Sequence, residues 1–363
     1  MKITFIIPHA IFTGGIRIVF ECADFLCKTG HTVNIVFPSV WRDLNDFQAR
    51  GLFGIRKKIR EIKKRFKFAR MKPKIDRFPD RATLLSVPNL SSRYIPDGDI
   101  IFATAVETAE WVGSYPNEKG DKWYLVMGEE KWIGEDRMIA SWKLPFKRVT
   151  IGNRLKESIL KKAGANSYGP VLVGINFDEF YHDREYLKDG VNYDERIGLM
   201  YYSYQGKGTN DGITAFRIAK KRFPNLKLVL VGKWCDKLEE IPDEYEFYYD
   251  PQKNDMRKIY SSCAIWLVPS WGEGFGFVAA EAMACKCAVV STDVGAVREY
   301  GMPGQSCLVS PIRDPEALAL NLISLLSDTQ KREDVSENGY QFIRQFTWEK
   351  AGRGLLQIIN ENT

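Results

Sequence analysis

The densest chemistry in the chain lies in the string Pro269-Ser-Trp-Gly-Glu-Gly-Phe-Gly-Phe-Val-Ala-Ala-Glu-Ala-Met-Ala284. Gly272, Gly274 and Gly276 punctuate a loop that carries Glu273. Glu281 follows eight positions later, on an apolar run that starts near Phe277. Carboxylates so placed can accept hydrogen bonds from sugar and ribose hydroxyls, while loop amides and the positive end of a helix suit phosphate. Two glutamates at this spacing arise constantly by chance; only the whole string is specific. A second, weaker feature is Phe12-Thr13-Gly14-Gly15-Ile16. A diphosphate needs backbone N–H groups at close range, and glycine removes the Cβ that would block the approach. A lone Gly-Gly reads equally well as a tight turn with no ligand.

These residues need elements to position them. Apolar runs at 3–8, 32–37, 99–104, 123–127 and 148–151 read as strands, with helices over 16–28 and 156–162. Between 166 and 182 the pattern breaks into Gly, Pro and Asn without a period, and an interdomain linker is placed there. Strands then resume at 197–202, 226–231, 264–269 and 287–292, with helices over 210–222, 254–261 and 277–284. Helical stretches over 315–328 and 331–345 and a terminal segment over 348–359 close the chain. Strand–turn–helix alternation is the pattern of parallel, doubly wound α/β sheets, and 363 residues suit two such domains.

The long glycine string resembles the Glu-x7-Glu region of retaining GT-B glycosyltransferases of the family-4 type. Asn176-Phe-Asp178 with Phe180 is similar to that family's interdomain stretch, and Gln205-Gly-Lys207-Gly208 to its Lys-Gly segment. The stretches 291–299 and 314–318 also resemble family segments in the same order. The likeness is dense over 195–345 and thinner before it, where the Gly14-Gly15 loop and 103–111 carry it.

The resemblance implies an α/β GT-B fold of two facing Rossmann-like domains, 1–170 on the acceptor side and 171–345 on the nucleotide-sugar side. A tail over 346–363 is expected to cross back to the first domain. It implies a metal-independent, retaining transferase that moves a sugar from a nucleoside diphosphate to a hydroxyl of a glycan or lipid-linked acceptor, with no other cofactor. Lys207 would compensate charge on the leaving diphosphate, Glu273 would lie near the donor sugar, and Glu281 would grip the ribose. Gly14, Gly15, Gly274, Phe275, Gly276 and Phe277 would bring backbone to the donor. Tyr202 stands where the family commonly has an Arg, and the strand over 99–104 lacks the family's His; Arg17, Arg154 and Lys233 are the candidate replacement cations. An inactive sugar-nucleotide binder and a DNA-modifying glucosyltransferase are the alternatives.

Residues 56–74 carry eleven Lys or Arg against one acid, whereas the chain's total is only +6, so the basicity belongs to one segment. Leu52, Ile55, Ile59, Ile62, Phe66 and Ala69 recur at helical spacing within 52–74, giving an apolar stripe on a cationic helix. Such a helix can lie on an anionic membrane, contact nucleic acid, or pack on its own domain. Nucleic acid ranks last of the three. No run approaches the ~20 apolar residues of a membrane span, and the apolar N-terminus is too short for a signal peptide. The protein is therefore expected in the cytoplasm, with 52–74 as a candidate contact to the inner membrane face. Seven cysteines, odd in number and mostly in apolar runs, read as buried thiols. No Asp-x-Asp is read at a strand end flanked by glycines, hence the expected metal independence. Aromatics from Trp123 to Trp142, with Glu129 and Glu130 between them, read either as an acceptor-sugar platform or as core.

Overall fold

A computed structural model describes residues 1–39, 81–183, 192–233 and 245–363. The basic stretch 52–74 lies outside these residues. The chain divides into two compact units. The N-terminal unit comprises Met1–Ile151, Leu155–Val171 and Glu349–Thr363; the C-terminal unit comprises Gly152–Arg154 and Leu172–Trp348.

The N-terminal unit holds strands β1 (Lys2–Ile6), β2 (Thr32–Pro38), β3 (Thr83–Val87), β4 (Ile100–Ala103), β5 (Asp121–Val126) and β6 (Lys147–Thr150). They form one sheet in the order β3-β2-β1-β4-β5-β6, parallel throughout. Its helices include α1 (Gly14–Lys28), α2 (Val106–Gly113), α3 (Glu135–Trp142) and, from Leu155 onward, α4 (Asn153–Ala163). A parallel sheet covered on both faces needs strands that are apolar throughout, and all four residues of β4 are buried. The strand order reverses between β1 and β4, so the carboxyl ends of these strands form a crevice between diverging connections.

The C-terminal unit repeats the plan. Strands β7 (Arg196–Tyr201), β8 (Lys227–Gly232), β9 (Tyr245–Tyr249), β10 (Ile265–Val268), β11 (Ala288–Thr292) and β12 (Leu308–Ser310) pair in the order β12-β11-β10-β7-β8-β9, again parallel. Its helices include α5 (Thr209–Lys220), α6 (Lys253–Ser261), α7 (Phe277–Ala284), α8 (Val297–Tyr300), α9 (Pro315–Ser327) and α10 (Thr329–Ile343). The switch here falls between β7 and β10. Gly198 in β7 makes that central pairing possible, since a Cβ there would lie 2.0 Å from the Trp266 ring of β10.

The last helix, α11 (Trp348–Asn362), belongs from Glu349 onward to the N-terminal unit. Leu355 and Ile359 are fully buried, and a Cβ on Gly352 would strike the Phe25 ring of α1. Burying a Leu or Ile side chain contributes about 1.5–3 kcal/mol, enough for these two to hold the helix in place.

Candidate donor site at the carboxyl edge of the C-terminal sheet

The loops leaving β7 and β10 are built against each other. After β7, Gly208 adopts a left-handed conformation (φ 64°), and a Cβ there would lie 2.0 Å from the Pro269 carbonyl oxygen. Only glycine meets both demands. Thr209 opens α5 and clamps the strand end: its Oγ1 accepts from the Tyr202 amide and donates to the Tyr202 carbonyl, both at 3.0 Å. Trp271 joins the two loops, donating its amide to the Gly206 carbonyl at 2.8 Å and its indole N–H to Asp211 at 2.7 Å.

This construction brings Lys207 and Glu273, 66 residues apart in sequence, to 2.6 Å between Nζ and Oε1. Ser270 donates to the same carboxylate oxygen at 2.7 Å. The Lys207 ammonium also lies 5.6 Å from the centre of the Tyr202 ring. Together with Met200, Leu267, Val268, Pro269 and Val278 these residues line a narrow crevice. Burial raises the Tyr202 hydroxyl pKa well above its ordinary value, and the charges of Glu273 and Glu281 push in the same direction. Tyr202 is thus a neutral hydroxyl beside the one cation lining the crevice.

Helix α7 turns its less buried face outward, with Val278 lining the crevice. Ala279, Ala280, Ala282, Met283 and Ala284 are buried in the unit, whereas Phe277, Val278 and Glu281 are half-buried on the other side. The Glu281 carboxylate accepts from the Tyr260 hydroxyl of α6 at 3.3 Å. Gly276 caps α7 at φ 94°, where a Cβ would crowd the Tyr300 hydroxyl at 2.7 Å. Phe275 is buried, with its ring 5.0 Å from Tyr300 and 5.2 Å from Phe277. It contributes backbone and packing to the loop. Gly274 places its carbonyl against Gly295, where a Cβ would sit 2.9 Å from the Glu273 Cβ. The loop after β11 can therefore close over Glu273 only if residue 295 is glycine.

In the N-terminal unit, Gly14 and Gly15 form the first turn of α1, and Thr13 caps it by accepting from the Ile16 amide at 3.4 Å. The first amides of a helix have no partner within it, which fits an anion. Of the candidate replacement cations, Arg154 pairs with Asp293 at 2.8 Å and Lys233 with Asp250 at 3.1 Å. Arg17 is buried in α1 of the N-terminal unit. Ser270, Thr209, Trp271, Asp211 and Tyr260 were not picked out as site residues from sequence. Ser270 and Trp271 stand inside the quoted string, while nothing in the sequence marks Tyr260.

The two readings of the aromatic stretch are decided for its ends. Trp123 and Trp142 are fully buried, so they are core and not a sugar platform; Trp132 between them is 73% exposed. An Asp-x-Asp does occur at a strand end, Asp97-Gly98-Asp99 before β4, but at the amino end. There Asp97 pairs with Lys119 at 2.6 Å and Asp99 accepts from the Lys2 amide at 2.7 Å. An open hollow beside it, lined by Met1, Gly30, Thr32 and Glu118 among others, lies at the same amino edge. Doubly wound sheets bind ligands at the opposite edge. Among the described residues no group of three or more His, Cys, Asp or Glu could hold a metal ion. Among them, too, no helix is long and apolar enough to cross a membrane.

Residues 188–342, which contain the whole crevice, match the family model for Glycosyl transferases group 1. This part of the C-terminal unit is similar to that family over less than half of the chain. The chain is 30% identical over 217 residues to a glycosyltransferase of Methanocaldococcus jannaschii, covering 58% of this chain and 57% of that protein. It is 26% identical over 253 residues to the capsular polysaccharide biosynthesis glycosyltransferase CapM of Staphylococcus aureus, covering 64% of this chain and 65% of CapM. The chain thus spans less than two thirds of either relative. Among solved structures, Anabaena HepE in complex with UDP-glucose superposes with a TM-score of 0.73 at 14% identity, covering 99% of this chain and 100% of HepE. That likeness establishes the fold class as GT-B.

Proposed function

We propose that the chain is a glycosyltransferase that takes a nucleoside-diphosphate sugar at the carboxyl edge of the C-terminal sheet and passes the sugar to a glycan or lipid-linked hydroxyl. The observation that carries this reading is the Lys207–Glu273 pair, held by two glycine-shaped loops within the matched stretch. A diphosphate entering the crevice can take over the Lys207 ammonium from Glu273. That frees the carboxylate for the sugar hydroxyls, while Glu281 takes the ribose. The amides of the α1 terminus at Gly14 and Gly15 are a further candidate anion contact, within the N-terminal unit.

Transfer breaks the bond between the anomeric carbon and the diphosphate oxygen and forms one to the acceptor oxygen. The acceptor's proton goes to the departing phosphate, on the same face, so configuration is retained and no protein nucleophile is needed. Charge grows on the leaving group, where Lys207 counts most. We propose that the reaction needs no metal ion; EDTA should leave turnover intact, and loss restored by magnesium or manganese would refute this. HepE's complex with UDP-glucose and CapM's role in capsular polysaccharide supply the donor and acceptor kinds that the proposal adopts. A cytoplasmic location, with 52–74 on an anionic inner membrane face, belongs to the same proposal. Equal sedimentation with neutral and anionic vesicles would remove that part.

The test is a thermal-shift screen of nucleoside diphosphates and their sugars, followed by turnover of the best donor. Binding raises stability in proportion to RT ln(1 + [L]/Kd). Tyr202, in place of the cation the resemblance leads one to expect, favours a second reading as a binder without turnover. Stabilisation by a donor with no hydrolysis or transfer would select it.

A further inference from the structure

Lys207 ends the short turn Gln205–Lys207 with a glycine on either side, Gly206 before it and Gly208 after it. Flanking glycines give a backbone wide conformational freedom. A side chain that meets Glu273 at 2.6 Å therefore needs restraint from elsewhere. Trp271 supplies it from the loop after β10, on both flanks of the lysine. Its amide donates to the Gly206 carbonyl at 2.8 Å, and its indole N–H to Asp211, in the first turn of α5, at 2.7 Å. Trp271 also stands two residues ahead of Glu273 in the chain. One residue thus joins the turn that carries the cation to the loop that carries its carboxylate.

A hydrogen bond fixes the edge of the indole and leaves its faces to be packed. Over the ring lies Arg313, its guanidinium carbon 4.3 Å from the ring centre. Arg313 follows β12 and precedes Asp314, the cap of α9, so it too stands at the carboxyl edge of the C-terminal sheet. Its backbone is left-handed, with φ 59°. Glycine takes that conformation without strain, and arginine does not. Asp250 and Lys286 are the other described residues, glycine aside, at positive φ. Both meet an opposite charge, Asp250 that of Lys233 at 3.1 Å and Lys286 that of Glu337 at 2.7 Å. Arg313 has no ion pair among the described residues, and its side chain goes to Trp271 instead. Backbone strain persists where the surrounding structure over-determines it, often at working sites.

We propose that Arg313 and Trp271 are positioning residues for Lys207. The guanidinium seats the indole, and the indole holds the turn that brings the ammonium to the crevice. This rests on the reading of Lys207 as the cation that meets the donor's diphosphate. A planar guanidinium covers an indole face as an ammonium on a flexible stem does not. The contact is therefore specific to arginine rather than to positive charge. Without the stack the turn opens more often and the ammonium spreads over several positions, which weakens any contact that needs a fixed geometry.

The experiment is amide hydrogen exchange on the full chain, read over the turn, for wild type, Arg313→Gly and Arg313→Lys. In the closed turn the Lys207 amide donates to Tyr204 at 3.0 Å and the Gly208 amide to Gln205 at 2.9 Å. Exchange of these two amides should speed about tenfold in both variants, while β7 and β10 keep their wild-type rates. Arg313→Gly should melt at or above the wild-type temperature, because glycine relieves the strain. Binding of inorganic pyrophosphate, a diphosphate with neither base nor sugar, is measured in parallel. Both variants should bind it about fivefold more weakly than wild type, and Lys207→Ala more weakly still. Unchanged exchange of the turn in Arg313→Gly overturns the proposal. So does wild-type behaviour of Arg313→Lys, which would leave charge as all that matters. Faster exchange throughout the C-terminal unit with a lower melting temperature would make Arg313 a general stabiliser, and the proposal would again be wrong. Failure of wild type to bind pyrophosphate strikes the diphosphate reading of Lys207 alone, since the exchange arm judges the clamp without a ligand.

Discussion

At the carboxyl edge of the C-terminal sheet, Glu273 meets the Lys207 ammonium at 2.6 Å and the Ser270 hydroxyl at 2.7 Å. At the same edge of the N-terminal sheet, Glu130 meets the Val106 amide at 3.2 Å and feels the like charge of Glu107. The two sheets share one plan, six parallel strands with the order reversing at the centre. What differs is the loop chemistry set upon it. One edge sets its carboxylate against a cation. The other supplies a carboxyl whose proton is retained to about neutral pH. A single fold thus sets two carboxylates in opposite electrostatic company, and the loops alone decide which.

The comparison can be broken most sharply at Lys207. If its ammonium stabilises charge that grows during transfer, Lys207→Ala should lower kcat as well as raise KM. The loss expected in kcat/KM is on the order of a hundredfold or more, about 3 kcal/mol. Unchanged turnover in this variant, with Tyr202→Phe inactive, would move the phosphate site to Tyr202.

The next effect concerns stability. Glu130 is raised from an ordinary 4.5 to about 7 in the folded protein, so the folded state binds its proton more tightly than the unfolded state does. The resulting penalty is absent below pH 4.5, grows as pH rises through the interval, and is complete above about 7. Glu130→Gln removes the ionisation and should stabilise the protein at pH 8 by about 2–3 kcal/mol, with little change at pH 4.5. Thermal melts of the two proteins across this range check it, and parallel curves would show that Glu130 is not desolvated.

The smallest effect is expected at Glu281. Its carboxylate would hold the ribose equally in the bound donor and in the transition state, so Glu281→Gln should raise KM by about tenfold and leave kcat nearly unchanged. Steady-state kinetics with varied donor concentration separate this from Lys207→Ala. A collapse of kcat would give Glu281 a part in the chemistry itself.

Central strands were legible because burial on both faces demands near-continuous apolar runs, as in Ile-Ile-Phe-Ala of β4 and Ile-Trp-Leu-Val of β10. The strands that sequence reading passed over, β3, β9 and β12, are all at sheet edges. An edge strand buries less, so Tyr-Glu-Phe-Tyr-Tyr of β9 shows no apolar run and none of its residues is fully buried. Helix α2 was missed for a related reason: it is only eight residues long and its start is fixed by Thr108, whose Oγ1 accepts from the amides of Thr104 and Ala105 at 2.9 Å.

The glycine-rich string, Lys207 and the two glutamates that follow were visible in the sequence because backbone approach and charge impose residue types at fixed places. Gly208, Gly276 and Gly295 show why, each sitting at positive φ where a Cβ would strike a neighbour. The sequence could not rank Trp123, Trp132 and Trp142, or tell Glu129 from Glu130. Within each set the side chains are chemically identical, and their difference lies in what the fold brings beside them. Lys162 and Ser158 come from α4 to hold Glu129, and the amide of Val106 comes from α2 to meet Glu130. Contacts between elements distant in sequence set desolvation and charge, and only the tertiary structure decides them.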